Sequence, residues 1–268
     1  MILENIKQHT LQNFTKEDDL FIRGIWSVDC LFNPNLNERT FNYKFLVVQN
    51  EGQGSAYSLV RNYPLYKLEQ IMGKHYFDLK INDTALEIAI LDAIYSSRAS
   101  NNYEIVEIQG NSIEKSVKRA EIIAQETLKL VDTKEVLVVN VGVVGNIIKC
   151  LLDHNVNVVG TDFDEKIVGK KLFDKVEVMH GDYTNDIIRK ADVAIITGMT
   201  LATNTLDKII KTAKENDTKT IIFAETGSNL YDFFIDAGID VVISEPFPFY
   251  IYQGKTQIKI IKNKAYSI

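Results

Sequence analysis

From residue 134 to 245 short apolar runs alternate with amphipathic stretches at a regular beat, and the runs predict strands over Glu135–Val141, Val156–Thr161, Val176–Met179, Ala191–Thr197, Thr218–Ala224 and Asp240–Ser244. Helical spacing fills most of the gaps, at Gly145–Asp153, Thr203–Glu215 and Leu230–Ala237, with a shorter helical segment near Glu165–Leu172. Near-continuous Val/Ile runs suit strands covered on both faces, and helical crossovers permit parallel pairing. The pattern predicts an α/β, Rossmann-like, doubly wound and mainly parallel sheet, with Val136, Val138, Ile195, Ile196, Ile221 and Ile222 in its core.

The first 130 residues have a different rhythm. An opening helix is expected over 1–13, then strands over Leu20–Phe32 and Thr40–Gln49 rich in β-branched and aromatic residues. Asn33-Pro34-Asn35-Leu36-Asn37 between them has turn composition and predicts a hairpin. A Gly-rich segment, Glu51–Ser55, leads to a short helix over about Pro64–Met72. Thr84-Ala85-Leu86-Glu87 has the spacing of a capping box, with the Thr84 hydroxyl expected to open a helix running to Ser96. A longer helix follows over Ser112–Leu130, its apolar face expected at Ile113, Val117, Ala120, Ile123 or Ala124, and Leu128. The expected division is an α+β domain over 1–110, a connecting helix over 111–133 and the Rossmann-like domain over 134–268.

Composition narrows the function classes. In 268 residues, 46% are hydrophobic and 25% charged, the balance of an ordinary globular protein. A net charge of −6 gives no basic surface to invite nucleic acid. No apolar stretch is long enough to span a bilayer, and two distant cysteines, Cys30 and Cys150, offer neither a disulfide framework nor a thiolate metal site. A cytoplasmic protein with no nucleic-acid or membrane partner is expected, and a homodimer on base rates.

The candidate chemistry lies where strands end. Val139-Asn140-Val141-Gly142-Val143-Val144-Gly145 follows the glycine-rich dinucleotide turn with Asn140 in place of the first glycine. Gly142 would let a ligand approach the backbone, Gly145 would let the helix pack close, and the helix start favours an anion. Asp162, at the end of the next strand, can accept both hydroxyls of a ribose, which favours an adenosine-type ligand such as S-adenosylmethionine over a 2′-phosphorylated one. Asp164 and Glu165 lie too close for the assignment to be unique, the alternative being the acidic first turn of a helix. His180-Gly181-Asp182 ends the third strand and offers an imidazole and a carboxylate for proton transfer. Thr197, Gly198 and Thr200 end the fourth strand, where open α/β sheets place ligands, while Thr203 or Asn204 can cap the helix that follows. No histidine stands at metal-ligand spacing, and no metal ligands are assigned.

The Ile196-Thr197-Gly198-Met199-Thr200-Leu201 run continuing to Thr205-Leu206-Asp207, the Val141-Gly142-Val143-Val144-Gly145 turn and the helix Ala85–Ala93 together resemble the DUF364 "putative heavy-metal chelation" proteins. The resemblance covers almost the whole chain and is most specific over 197–206. It implies an N-terminal DUF4213 domain with an enolase-N-terminal-like fold, followed by a Rossmann-like domain. The chain departs from the family pattern at Asp92, where asparagine is usual, at Thr203-Asn204, and at Glu225-Thr226, where Gly-Pro is common. The function implied is enzymatic condensation, hydrolysis or group transfer on a metal-chelating, siderophore- or pterin-like metabolite in the cleft between the domains. Gly142, Gly145, Asp162, Thr197, Gly198 and Thr200 would bind the ligand, and Asp182 or Glu225 would move protons. The rivals are an S-adenosylmethionine-dependent methyltransferase and a non-catalytic protein that binds a metal chelate.

Overall fold

The computed structural model describes residues 1–33, 40–60, 63–131, 135–246 and 254–264. The expected turn at 33–37 falls almost wholly outside them. The N-terminal layer consists of α1 (Ile2–Asn13), a sheet of β1 (Gly24–Phe32), β2 (Phe41–Gln49) and β3 (Gln53–Ser58), then α2 (Leu65–Glu69) and α3 (Thr84–Tyr95). The sheet is antiparallel in the order β1-β2-β3.

Its two faces meet different surroundings. Leu46, Val48 and Ala56 pack with α3 in the larger core, while Cys30, Phe45 and Val47 form a small cluster with Val28, Tyr43 and Tyr57. Helix α3 is buried all round from Ala85 to Tyr95 apart from Glu87. Its N-cap is Asp83, whose carboxylate accepts the Leu86 amide at 2.8 Å, rather than the expected Thr84. Asp83 wins because a carboxylate at the helix start satisfies the exposed amide and also meets the positive end of the dipole.

The second layer opens with β4 (Glu104–Ile108) and α4 (Ser112–Lys129). It continues through β5 (Leu137–Val141), α5 (Gly145–Asp153), β6 (Asn157–Asp162), β7 (Lys171–Leu172), β8 (Val176–His180), α6 (Thr184–Ile188), β9 (Val193–Thr197), α7 (Met199–Ala202), α8 (Leu206–Glu215), β10 (Lys219–Ala224), α9 (Tyr231–Asp236), β11 (Val241–Ser244) and β12 (Thr256–Lys262). These strands form one sheet in the order β4-β12-β11-β10-β9-β5-β6-β8-β7. The pairs from β8 through β6, β5, β9 and β10 to β11 are parallel, and chain order reverses between β5 and β9, the switch point of a doubly wound fold. Val136, Val138, Ile195, Ile196, Ile221 and Ile222 are all buried.

Three elements differ from the pattern reading. The Gly-rich segment is strand β3, and β4 and β12 extend the large sheet by antiparallel pairing. Strand β4 lies before the expected boundary at 110, yet its hydrogen bonds go to β12. The segment at 165–172 forms turns and the two-residue β7 rather than a helix, and the stretch from 203 divides into α7 and α8 with Asn204 left-handed between them.

Gly54 is where the layers depend most on a missing side chain. A Cβ there would stand 2.1 Å from the Ala93 nitrogen and 2.4 Å from the Ala89 oxygen, both backbone atoms of α3. Backbone cannot move aside cheaply, so Gly54→Ala is expected to destabilise the fold by about 3 kcal/mol or more, read from its urea unfolding midpoint. A neutral substitution would mean that β3 does not seat on α3 in this way.

Candidate functional site

The carboxyl ends of the parallel strands are overlain by the N-terminal layer at the segment between β10 and α9. Ser55 Oγ donates to the Glu225 carbonyl at 2.7 Å, the Tyr57 amide to Thr226 Oγ1 at 2.9 Å, and the Gly227 amide to the Ser55 carbonyl at 3.0 Å. Ser55 and Tyr57 lie on β3, a sheet edge that would otherwise leave its amides unpaired. Below them Asp92, with no solvent exposure, accepts the Ser55 amide at 2.7 Å on one oxygen and the Asn229 amide at 2.6 Å on the other. Burial pushes the Asp92 carboxyl up to about 7, against the opposing pull of the Asn229 and Ser55 donors. Asp92 and Glu225-Thr226, two of the three positions where a different family pattern was expected, thus stand at one joint.

Glu225 is half-buried just past the end of β10, and among the described residues its carboxyl accepts no hydrogen bond and makes no ion pair. Burial holds it well above the ordinary carboxylate range; the Arg119 guanidinium opposes this and Glu245 adds to it. Arg119 on α4 forms a buried ion pair with Glu245, which follows β11, and its guanidinium lies 5.5 Å from the centre of the Phe223 ring. Thr256 Oγ1 donates to the second Glu245 oxygen at 3.3 Å. Lys115, one turn before Arg119, is fully buried, and burial lowers its ammonium below the usual lysine range. On the facing sheet Cys30 is held up to about 11, first by burial and then by the nearby charge of Glu225 and Asp29, so its thiol is not a ready nucleophile.

Helix α4 corrects the pattern reading. Ile113 and Val117, expected inward, are 49% and 43% exposed, whereas Lys115, Ser116 and Arg119 are buried with Ala120, Ile123 and Ala124. The inward stripe is apolar only in the second half of the helix. Its first half delivers two cations to the strand ends.

The predicted binding residues fall into two groups. Gly142, Thr197 and Gly198 meet at the switch point. Gly142 has φ +75°, and a Cβ on it would lie 2.4 Å from Thr197 Oγ1, so glycine is required there by the chain itself. Gly198 leaves room for the Thr226 carbonyl, which a Cβ would approach to 2.8 Å. Thr200 is buried and donates to the Thr197 carbonyl at 2.8 Å. The turn's amides already have partners: Gly142 donates to the Thr161 carbonyl at 2.9 Å, Val143 to Asp162 at 3.0 Å and Val144 to Asn140 Oδ1 at 2.9 Å. Asn140, standing where the first glycine of the motif was expected, therefore pins the turn that Gly145 continues as the first residue of α5.

Asp162 accepts the Val143 amide on one oxygen and the Asp164 amide, at 2.9 Å, on the other, so a ribose diol would have to share both. Asp182 is exposed and pairs with His180 at 3.1 Å, beside the Phe163 ring. Adjacent strands lie about 4.8 Å apart, so the four steps from β8 to β10 separate Asp182 from Glu225 by roughly 19 Å. The two carboxylates expected to move protons are not in one site. Thr205 rather than Thr203 or Asn204 is the N-cap of α8, and no side chain caps that helix start.

Among the described residues no group of three or more His, Cys, Asp or Glu side chains is placed to hold a metal ion, and no helix is long and apolar enough to cross a membrane. A cavity of about 340 Å³ opens between α1 and α8, lined by Ile2, Asn5, Asp207, Ile210 and Lys214 among others, and none of the strand-end residues lines it.

A six-strand doubly wound order, three antiparallel additions and an α+β layer over the strand ends define a Rossmann-like α/β protein with its candidate site between layers. Residues 124–244 match the family model DUF364, described as "Putative heavy-metal chelation". It is similar in fold to a DUF364-family protein of unknown function from Desulfitobacterium hafniense DCB-2, with a TM-score of 0.58 and 11% identity over 96% of this chain and 98% of that one. A second such protein, from Pyrococcus horikoshii, matches with a TM-score of 0.50 and 15% identity over 98% of this chain and 100% of that one. No curated protein matches the sequence.

The Glu225 environment has a consequence for stability. A carboxyl raised in the folded state holds a proton that the unfolded chain releases, so its stabilising contribution is complete at acid pH and is lost as pH rises through the folded value. Glu225→Gln has no proton to lose and should gain on the parent chain as pH is raised from 5 to 9. Urea midpoints of both proteins across that range check this, the contribution of Asp92 cancelling in the difference. A pH-independent difference would show that Glu225 ionises as a surface carboxylate does.

Proposed function

We propose that this protein is an enzyme acting on a small metabolite in the cleft between the three-stranded sheet and the strand ends, with Glu225 giving and taking the proton. One observation carries the reading: a half-buried carboxyl with no hydrogen bond, raised above the carboxylate range, stands past a parallel strand end beside a buried ion pair. Carboxyls that do acid–base work near neutral pH are tuned in this way, by burial and a neighbouring charge.

The division of labour follows from the partners. Arg119 and Glu245 neutralise each other, so Glu245 is committed, while Glu225 is left to meet a substrate atom. Protonated, Glu225 donates to a departing oxygen or nitrogen; as the carboxylate it takes the proton back from an attacking hydroxyl, amine or water. Condensation, hydrolysis and group transfer all use this pair of steps. The family description supports a metabolite that itself chelates a metal, siderophore- or pterin-like, with any metal arriving as part of that substrate. The N-terminal layer, as a DUF4213-like domain, would form the facing wall.

The test uses protein as purified. Native mass spectrometry of the parent chain and of Glu225→Gln is expected to show the same small molecule retained by both. On incubation that mass should convert to product with the parent chain, and about 10²- to 10⁴-fold more slowly with the variant, the usual contribution of a general acid–base group. Equal conversion rates would remove Glu225 from the chemistry. Retention without conversion by either protein would favour a carrier of the metabolite.

A further inference from the structure

The carboxyl of Glu225 makes no hydrogen bond among the described residues, so nothing at its own tip determines where it stands. Its backbone does. Residues 225–229 are fastened to β3 through the Glu225 carbonyl, the Thr226 hydroxyl and the Gly227 amide, and every one of these bonds ends on Ser55 or Tyr57. Ser55 is itself placed by Asp92, which also takes the Asn229 amide, while Asn229 Nδ2 reaches the Asp92 carbonyl at 3.2 Å and the Gln53 carbonyl at 3.1 Å. Asp92 lies on α3, the most enclosed helix of the molecule, so the joint is referred to a rigid element. The charged group that faces it from another element is Lys259 on β12, held over the Tyr103 and Tyr231 rings at 4.7 and 5.3 Å.

We propose that Asp92 is a positioning residue for Glu225: by gathering the Ser55 and Asn229 amides on one carboxylate, it sets β3 and residues 225–229 in register and so holds the Glu225 carboxyl at the cleft. The role rests on the reading of Glu225 as the proton-transfer group. An apolar residue at 92 would satisfy neither amide, and each would be left buried without a partner. Asparagine has the same shape but only one acceptor oxygen, so its amide nitrogen must face one of the two N–H groups. Asp92 is one residue removed from the Glu225 backbone, through the Ser55 hydroxyl, and its influence on Glu225 runs by that short path.

The test is a carboxyl ¹³C titration of the intact chain, with the Glu225 resonance assigned by its absence from Glu225→Gln. In Asp92→Asn the Ser55 and Asn229 amides should exchange with solvent at least tenfold faster. The Glu225 midpoint should fall toward the ordinary glutamate range by about one unit, a tenfold loss of proton affinity as water gains access. Faster exchange with an unmoved midpoint overturns the proposal and leaves Asp92 a purely structural clamp. Should Asp92→Asn fail to fold, Ser55→Ala decides, because it removes the hydroxyl that ties the joint to Glu225 while leaving both amides on Asp92. A lowered Glu225 midpoint in that variant supports the role, and an unmoved one overturns it. A parent chain whose Glu225 titrates as a surface carboxylate would instead overturn the proton-transfer reading and remove the role's premise, an outcome distinct from a raised midpoint that the variants fail to move.

Discussion

Asp92 brings together two backbone amides from different layers on a carboxylate that no water reaches, and the relative placement of those layers depends on it. Enclosing such a group is unfavourable unless donors surround it, and here the donors are amides that would be unpaired without it. The arrangement leaves no space for side chains at the crossing points, which is why Gly54 faces α3 and Gly198 faces the Thr226 carbonyl. The same contact covers the outward edge of β3. The apolar core then runs uninterrupted from Ile6 and Ile90 in the first layer to Ile196, Ala224 and Phe234 in the second.

Much of the second layer was legible because its physics is local. Strands covered on both faces must be apolar throughout, and Val138, Val139, Ile195, Ile196, Ile221 and Ile222 announce this without help from neighbours. Strand β3 was not legible, since Gln53-Gly54-Ser55-Ala56-Tyr57-Ser58 has little intrinsic preference for extended structure. It is a strand because β2 pairs with one edge and residues 226–229, far away in sequence, dock on the other. Strand β4 is five residues long and mostly exposed, so its assignment comes from pairing with β12. Strand β12 did carry a period-two signal, with Thr256, Ile258 and Ile260 buried and Gln257 exposed between them.

The site was legible only in part, and for a specific reason. Glu225 is reachable by the rule that open α/β sheets place chemistry past their strand ends. Arg119 and Lys115 are not reachable by hydrophobic periodicity, which directs Ile113 and Val117 inward and the charges outward. Yet the stripe can be followed backwards: Ile123 projects through Arg119 to Lys115 in steps of four, and Ala124 through Ala120 to Ser116. Cations in phase with a buried apolar stripe signal that the helix leaves the core and enters a polar site. That signal outweighs two isolated apolar residues, because an exposed Ile or Val is commonplace and a buried Lys is not.

The switch point and the Glu225 side of the sheet differ in how far the chain itself satisfies their polar groups. At Gly142, Val143 and Val144 the amides that would cradle a phosphate are already bonded to Thr161, Asp162 and Asn140, so the turn is held by the chain's own groups. An anion entering there would have to displace bonds of similar strength, and the gain from binding would shrink accordingly. Two strands away, at Glu225, the balance is reversed: the carboxyl has no hydrogen bond to break, and the nearest cation is occupied by Glu245. A substrate atom that accepts a proton from Glu225 therefore meets a group whose polar needs are unmet. On that argument the proposed proton transfer fits the β10–β11 side of the sheet, and the glycine turn, bonded to the chain's own groups, serves to anchor the sheet beside it.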